Sequence, residues 1–139
     1  MAFSTYLADA LVNEVFGGTN WVPPTTIYIG LSSTLPTVAG GNITEPTIGT
    51  NGYARASAVN NTTNFPATSS NNKSNGTAIT FPTSTGAWLA SASLGYLVFY
   101  DAATAGNVLG FAALNNPQVV ASSGATLSFA IGSLTITIN

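Results

Sequence analysis

Residues 87–101 read AWLASASLGYLVFYD. Side chains alternate across a strand, so Tyr96, Val98 and Tyr100 share one face while Leu97 and Phe99 share the other. Both sets are apolar. A strand that is apolar on both faces is covered on both, which is the signature of an inner strand in a layered protein. The stretch therefore predicts material packed above and below it.

Towards the C-terminus, DAATAGN (101–107) has turn chemistry and VLGFAAL (108–114) returns as a strand. NNPQVVASSG (115–124) reads as a connector. In ATLSFAIGSLTITIN (125–139), Leu127, Phe129 and Ile131 alternate, Gly132 interrupts as a bulge or a corner, and Leu134, Ile136 and Ile138 alternate again. Towards the N-terminus, TIYIGLS (Thr26–Ser32) places Ile27, Ile29 and Leu31 on one face and Tyr28 and Gly30 on the other. Residues 34–52 form a long loop. In NGYARASAVN (51–60), Tyr53, Arg55, Ser57 and Val59 fall on one face and Ala54, Ala56 and Ala58 on a thin core face. AITFP (78–82) is a short strand with Ile79 and Phe81 on one side.

About seven or eight short strands, spaced by Gly, Pro and Asn, predict an all-β fold: an antiparallel β-sandwich, jelly-roll-like. One N-terminal α-helix packs on it. Ser4 is its N-cap, Phe3, Leu7, Leu11 and Val15 recur every four residues with Ala10 and Phe16 widening the stripe, and Gly17-Gly18 is the stop. The chain reads as a single domain, 1–139, with the helix in 1–18 and the sandwich in 26–139.

Only 4% of the 139 residues are charged, against about 25% in an ordinary soluble domain. Asp9, Glu14, Glu45, Arg55, Lys73 and Asp101 are the whole set. Hydrophobic residues stay at 45%, so the composition is not that of a disordered chain. A surface without charge repulsion points to an assembled working state. The N-terminal stretch lacks Lys and Arg and is not a signal peptide, and no segment has the roughly 20 apolar residues of a spanning helix. The five Asn-X-Ser/Thr triplets, at Asn42, Asn60, Asn61, Asn72 and Asn75, are accordingly polar loop sequence and not glycosylation sites. Residues 60–77, NNTTNFPATSSNNKSNGT, read as an ordered neutral surface loop anchored by Phe65 and Pro66.

With no His and no Cys, the commonest general base, the commonest metal ligand and the strongest nucleophile are missing. No catalytic residue, cofactor or metal site is expected. A Glu45–Asp101 acid pair and a Ca²⁺ site on Asp101 and Asn107 are both poorer readings than turn and cap roles, since a calcium ion takes six to eight oxygen ligands. Two cations cannot neutralise a nucleic-acid backbone, so neither nucleic acid nor membrane is a partner. Arg55, alone in an Ala-rich strand, is read as half of a structural ion pair with Glu45 or Asp101. Phe3, Leu7, Leu11 and Trp21 are the candidate assembly interface, because a terminal apolar helix is a natural docking element.

The segments MAFSTYLADALVNEVFGGT, YIGLSSTLPT, NITEPT, GYARASAVNNTTNFPA, KSNGTAITFPTSTGAW, FYDAATAGNVL and GSLTITIN together resemble a family of small bacteriophage virion proteins, tail-fibre-like or decoration proteins. The resemblance spans nearly the whole chain, with SNGTAITFPTSTGAW and YDAATAGN its most specific pieces. It implies a β-sandwich that acts as a homotrimer on the outside of the particle without catalysis. Two roles follow. The first is capsid decoration (cement) on the outer capsid surface, bound to the major capsid protein. It is favoured here because a compact domain of this length leaves no room for a shaft. The alternative is a tail-fibre or tailspike component that recognises a host receptor or host-surface glycan.

Overall fold

The doubly apolar strand β6 (Leu94–Tyr100) is the middle of a five-stranded antiparallel sheet. In the computed structural model, which describes residues 1–67 and 71–137, the sheet order is β1 (Ala2–Phe3), β7 (Val108–Gln118), β6, β2 (Thr26–Ser32) and β3 (Ala56–Val59). Leu97 lies opposite Leu31 on one side and Ala112 on the other, and Phe99 lies opposite Ile29 and Gly110. The alternation read from the sequence thus becomes two separate apolar clusters. Leu97 and Phe99 join Ile29, Leu31, Ala56 and Ala58 in the main core, while Val98 and Tyr100 pack with Val108, Tyr28 and Ile43 on the opposite face.

The two faces are covered differently. Over the main core lie two separate two-stranded ribbons, β4 (Asn72–Ser74) with β9 (Thr135–Thr137) and β5 (Ile79–Thr80) with β8 (Ser128–Phe129). They bring Ile79, Phe81, Phe129, Leu134 and Ile136 down onto the sheet. Phe81, Tyr53 and Trp88 form an aromatic group within this layer, Tyr53 and Trp88 meeting edge-on with centroids 5.0 Å apart. The indole N–H of Trp88 donates to Asn51 O at 2.9 Å, so its burial leaves no polar atom stranded. Over the other face runs the first part of the long loop, residues 33–45. It is tied back by Ser33 N to Thr44 O, Thr44 N to Ser32 Oγ, and Thr5 N, at the start of the N-terminal helix, to Val38 O.

The fold is all-β with one N-terminal helix, as the punctuation of short strands predicted. Several details differ. Residues 72–74, read as loop, form β4, because Asn72–Ser74 pairs with Thr137–Thr135 across the end of the sandwich. A three-residue polar strand carries no period to read. Strand β7 runs on to Gln118 through the expected connector. A register shift between its pairs Tyr96–Ala113 and Leu94–Gln118 accommodates Pro117, which has no N–H to give. Tyr53 precedes β3 and leaves the face of Arg55 for the main core. Gly132 (φ 76°) turns the chain between β8 and β9, leaving Ile131 exposed at the corner. Ile138 lies outside the described residues.

The helix α1 (Thr5–Gly17) is capped as predicted. Ser4 accepts from Leu7 N, and Gly18 adopts the left-handed conformation at the other end. The buried Ser4 hydroxyl also donates to Val108 O, fastening the helix start to β7. Its apolar stripe, however, is not a single buried face. Phe3 lies before the helix, in β1 opposite Gly110. Each four-residue step overshoots a full turn by about 40°, so Leu7 and Leu11 are half-buried while Val15 has rotated out into solvent. Phe16, expected to widen the stripe, points outward. No helix among the described residues is long and apolar enough to cross a membrane.

Candidate assembly surface and the buried charge cluster

The loop over the outer face of the sheet delivers one carboxylate beneath itself. Glu45 reaches β2 at Gly30, where a Cβ would stand 2.5 Å from Glu45 Oε1 and 3.0 Å from the Tyr100 ring. Glycine at position 30 is what lets the carboxylate approach the strand. There Arg55 meets it as a fork, Nε to Oε1 at 3.0 Å and Nη2 to Oε2 at 2.8 Å. The pair is largely withdrawn from water, with side-chain exposures of 5% for Arg55 and 14% for Glu45. The remaining guanidinium nitrogen donates to Ala102 O and Ala105 O, both at 2.8 Å. The guanidinium stacks on Tyr100, with Cζ 3.3 Å from the ring centroid. Tyr53 completes the cluster, donating to Glu45 Oε1 at 2.9 Å and accepting from Leu31 N at 3.0 Å.

Charge balance follows from this geometry. Burial disfavours the Arg55 cation, but its hydrogen bonds to Glu45 and the charge of that carboxylate outweigh it, and its pKa is raised. Burial and the Glu45 charge push the Tyr53 phenol well above its ordinary value. The same two causes push Tyr100 up to about 12, against the opposing pull of Arg55. The cluster is a structural clasp joining the loop, β2, β6 and the 101–107 turn. Of the two partners considered for Arg55, the structure brings Glu45 to it and leaves Asp101 apart. Asp101 accepts from Asn107 N and Asn107 Nδ2, both at 2.7 Å, which closes its own turn.

Three of the four predicted assembly residues come together elsewhere in the fold. Phe3 from β1, Leu7 from α1 and Trp21 from the connector line an apolar cleft of about 170 Å³ with Phe65, Lys73 and Ile136. Leu11 lies one turn further along the helix, half-buried and outside the cleft lining. Trp21 is held by its own N–H, which donates to Glu14 on α1. Sequence reasoning did not place Lys73 or Ile136 here, because the β4–β9 pairing that carries them was not legible. A second hollow, about 620 Å³, lies between β7 and the β8–β9 segment, lined by Leu97, Phe99, Leu114, Phe129 and Leu134 among others.

The segment 60–77 is more than a surface loop. Asn61 Oδ1 accepts from Thr63 N and Asn64 N in a tight turn, and Phe65 is buried as predicted while Pro66 is exposed. Asn75, only 2% exposed, donates to Thr77 O and Ala130 O at 2.8 Å each and accepts from Leu134 N at 2.9 Å. One of the five triplet asparagines is thus a fully bonded core residue. The middle of the segment, residues 68–70, lies outside the described residues.

A family model described as "Podophage GP4 fiber I protein gp80" matches residues 2–137. Among curated proteins, none matches the chain.

Proposed function

The chain belongs to the podophage GP4 fiber I protein gp80 family, and from that footing we propose that it serves in the virion as a self-assembling fiber module. In this reading it acts by binding and performs no catalysis. The observation that carries the reading is the match itself, which covers residues 2–137 and names a fiber protein. It supports the fiber role, the alternative in the sequence reading, over capsid decoration, which the length of the chain had favoured. A bacteriophage structural protein is common to both.

The chemistry of the chain supports a binding role. The Arg55 charge is consumed internally by Glu45, so little positive charge is left for nucleic acid. The polar groups of the chain are mostly hydroxyls and amides and few are charged, which suits a neutral host-surface glycan as the ligand of a fiber. Self-association as a homotrimer is part of the proposal. It is supported by the 4% charge content and by the apolar side chains left exposed on α1.

Copy number per particle tests the location. Quantitative mass spectrometry of purified virions, with antibody labelling in electron micrographs, should find a small number of copies on tail-borne appendages. Hundreds of copies spread over the shell would replace the fiber reading by decoration, with the major capsid protein as the partner and the outer capsid surface as the site.

A further inference from the structure

The two faces of α1 have opposite fates. Leu7 contributes to the apolar cleft, whereas Asp9, Val12 and Phe16, spaced i, i+3 and i+7, form one stripe on the side turned away from the protein. Val12 is 56% exposed and Phe16 is 84% exposed. Side chains of this size standing in water beside a charged residue have the composition of a docking stripe.

The charged residues say what the stripe docks against. Glu45 is paired with Arg55, Glu14 accepts from Trp21 N, and Asp101 accepts from Asn107. Among the described residues, Asp9 is the carboxylate with no hydrogen-bond or ion-pair partner. Of the two basic side chains, Lys73 is the one with no carboxylate partner among the described residues; its ammonium donates to Phe65 O at 3.1 Å. Lys73 lines the apolar cleft, next to Phe65, Phe3, Leu7 and Trp21. The cleft measures about 170 Å³, the class of apolar cavity, about 150 Å³, that holds a benzene ring.

We propose that a second copy of this chain is the occupant: Phe16 of one copy seats in the Phe3–Leu7–Trp21 cleft of the next, with Asp9 meeting Lys73 at the rim. Within one copy the stripe faces away from the cleft, so both halves of the contact are available at once. The contact is head-to-tail, with different surfaces on the two partners, and it closes into a ring when the rotation between copies allows. It rests on the self-assembly proposed above and names the surface that carries it.

Sedimentation velocity on the full chain tests it. The wild type should self-associate. Phe16→Asp, at an exposed position, should weaken association at least about thirtyfold, as loss of a central aromatic anchor does. Val12→Asp is a second probe on the same stripe, and circular dichroism checks that both variants stay folded. Asp9→Lys and Lys73→Asp should each weaken association by up to about fivefold, the range of an exposed ion pair, and the double exchange should restore it. If the wild type associates and both stripe variants associate equally well, this contact is wrong and assembly uses another surface, such as one reserved for a different virion protein. A wild-type monomer at about 100 μM, well above the micromolar range of ordinary specific contacts, would overturn the contact and the self-assembly together, while the copy-number experiment still decides the fiber role.

Discussion

Arg55 shows how much one residue can settle in a chain with six charged side chains. Its guanidinium spans the loop, the 101–107 turn and the Tyr100 ring. Arg55→Met should therefore leave the buried Glu45 carboxylate uncompensated and destabilise the fold by about 3–5 kcal/mol, readable as a lower midpoint in urea unfolding. Replacing both members, Glu45→Leu with Arg55→Met, should recover much of the loss, because no buried charge is then left alone. An unchanged midpoint in the single variant would show that the clasp contributes little. The neighbouring phenols give an alkaline limit. Below pH 10 Tyr53 and Tyr100 are protonated in both folded and unfolded chains, so their contribution is full. From the ordinary value of 10.0 towards the raised value of about 12 for Tyr100, the unfolded chain releases protons that the folded chain keeps, and stability falls. An alkaline titration should show the tyrosinate absorbance of these two residues rising together with unfolding, and Tyr100→Phe should remove its share of the pH dependence. The sequence placed Arg55 in an ion pair but left Glu45 and Asp101 open as partners. The fold-back of the loop decides between them, and Gly30, whose missing Cβ admits the carboxylate, has no signal of its own within a strand.

At the scale of elements, most strands were legible, but β4 and the pairing of the short strands were not. The seven-residue strands β2 and β6 announce themselves by alternation. AITFP and the C-terminal alternation were readable as strands, but the ribbons β4–β9 and β5–β8 are pairings of two or three residues that exist because the sheet beneath them offers apolar surface. Asn75 links β4 to the turn after β8, bonding Ala130 O and Leu134 N. Asn75→Ala should cost roughly 1–3 kcal/mol for each buried group it strands. It should also make the C-terminal ribbon more susceptible to limited proteolysis, with the main sheet still intact. Equal protease resistance in variant and wild type would mean the ribbon is held by its apolar residues alone. The helix tells the same story from the other side. Its cap was readable at Ser4 and Gly18, while the inward turn of Leu7 and the outward turn of Val15 depend on how the helix lies on β7.

For the whole molecule, near-absence of charge has a measurable consequence. Raising the salt from about 0.1 M to about 1 M shortens the screening length from about 10 Å to about 3 Å. An assembly held by apolar contacts should keep its sedimentation coefficient across that range, whereas dissociation at high salt would mean that charges carry the interface. By itself, the sequence determined the class of molecule: an all-β layered domain with one capped helix, no histidine or cysteine chemistry, and a virion family written in motifs spread along nearly its full length. Those properties are local, set by alternation, turn residues and composition. The tertiary structure alone decided that Glu45 clasps Arg55, that residues 72–74 become a strand, that Asn75 is buried, and that Phe3, Leu7 and Trp21 meet Lys73 in one cleft. Each of these joins residues distant in the chain through strand pairing, and pairing partners are chosen by the packing of the assembled layers, which no local stretch encodes.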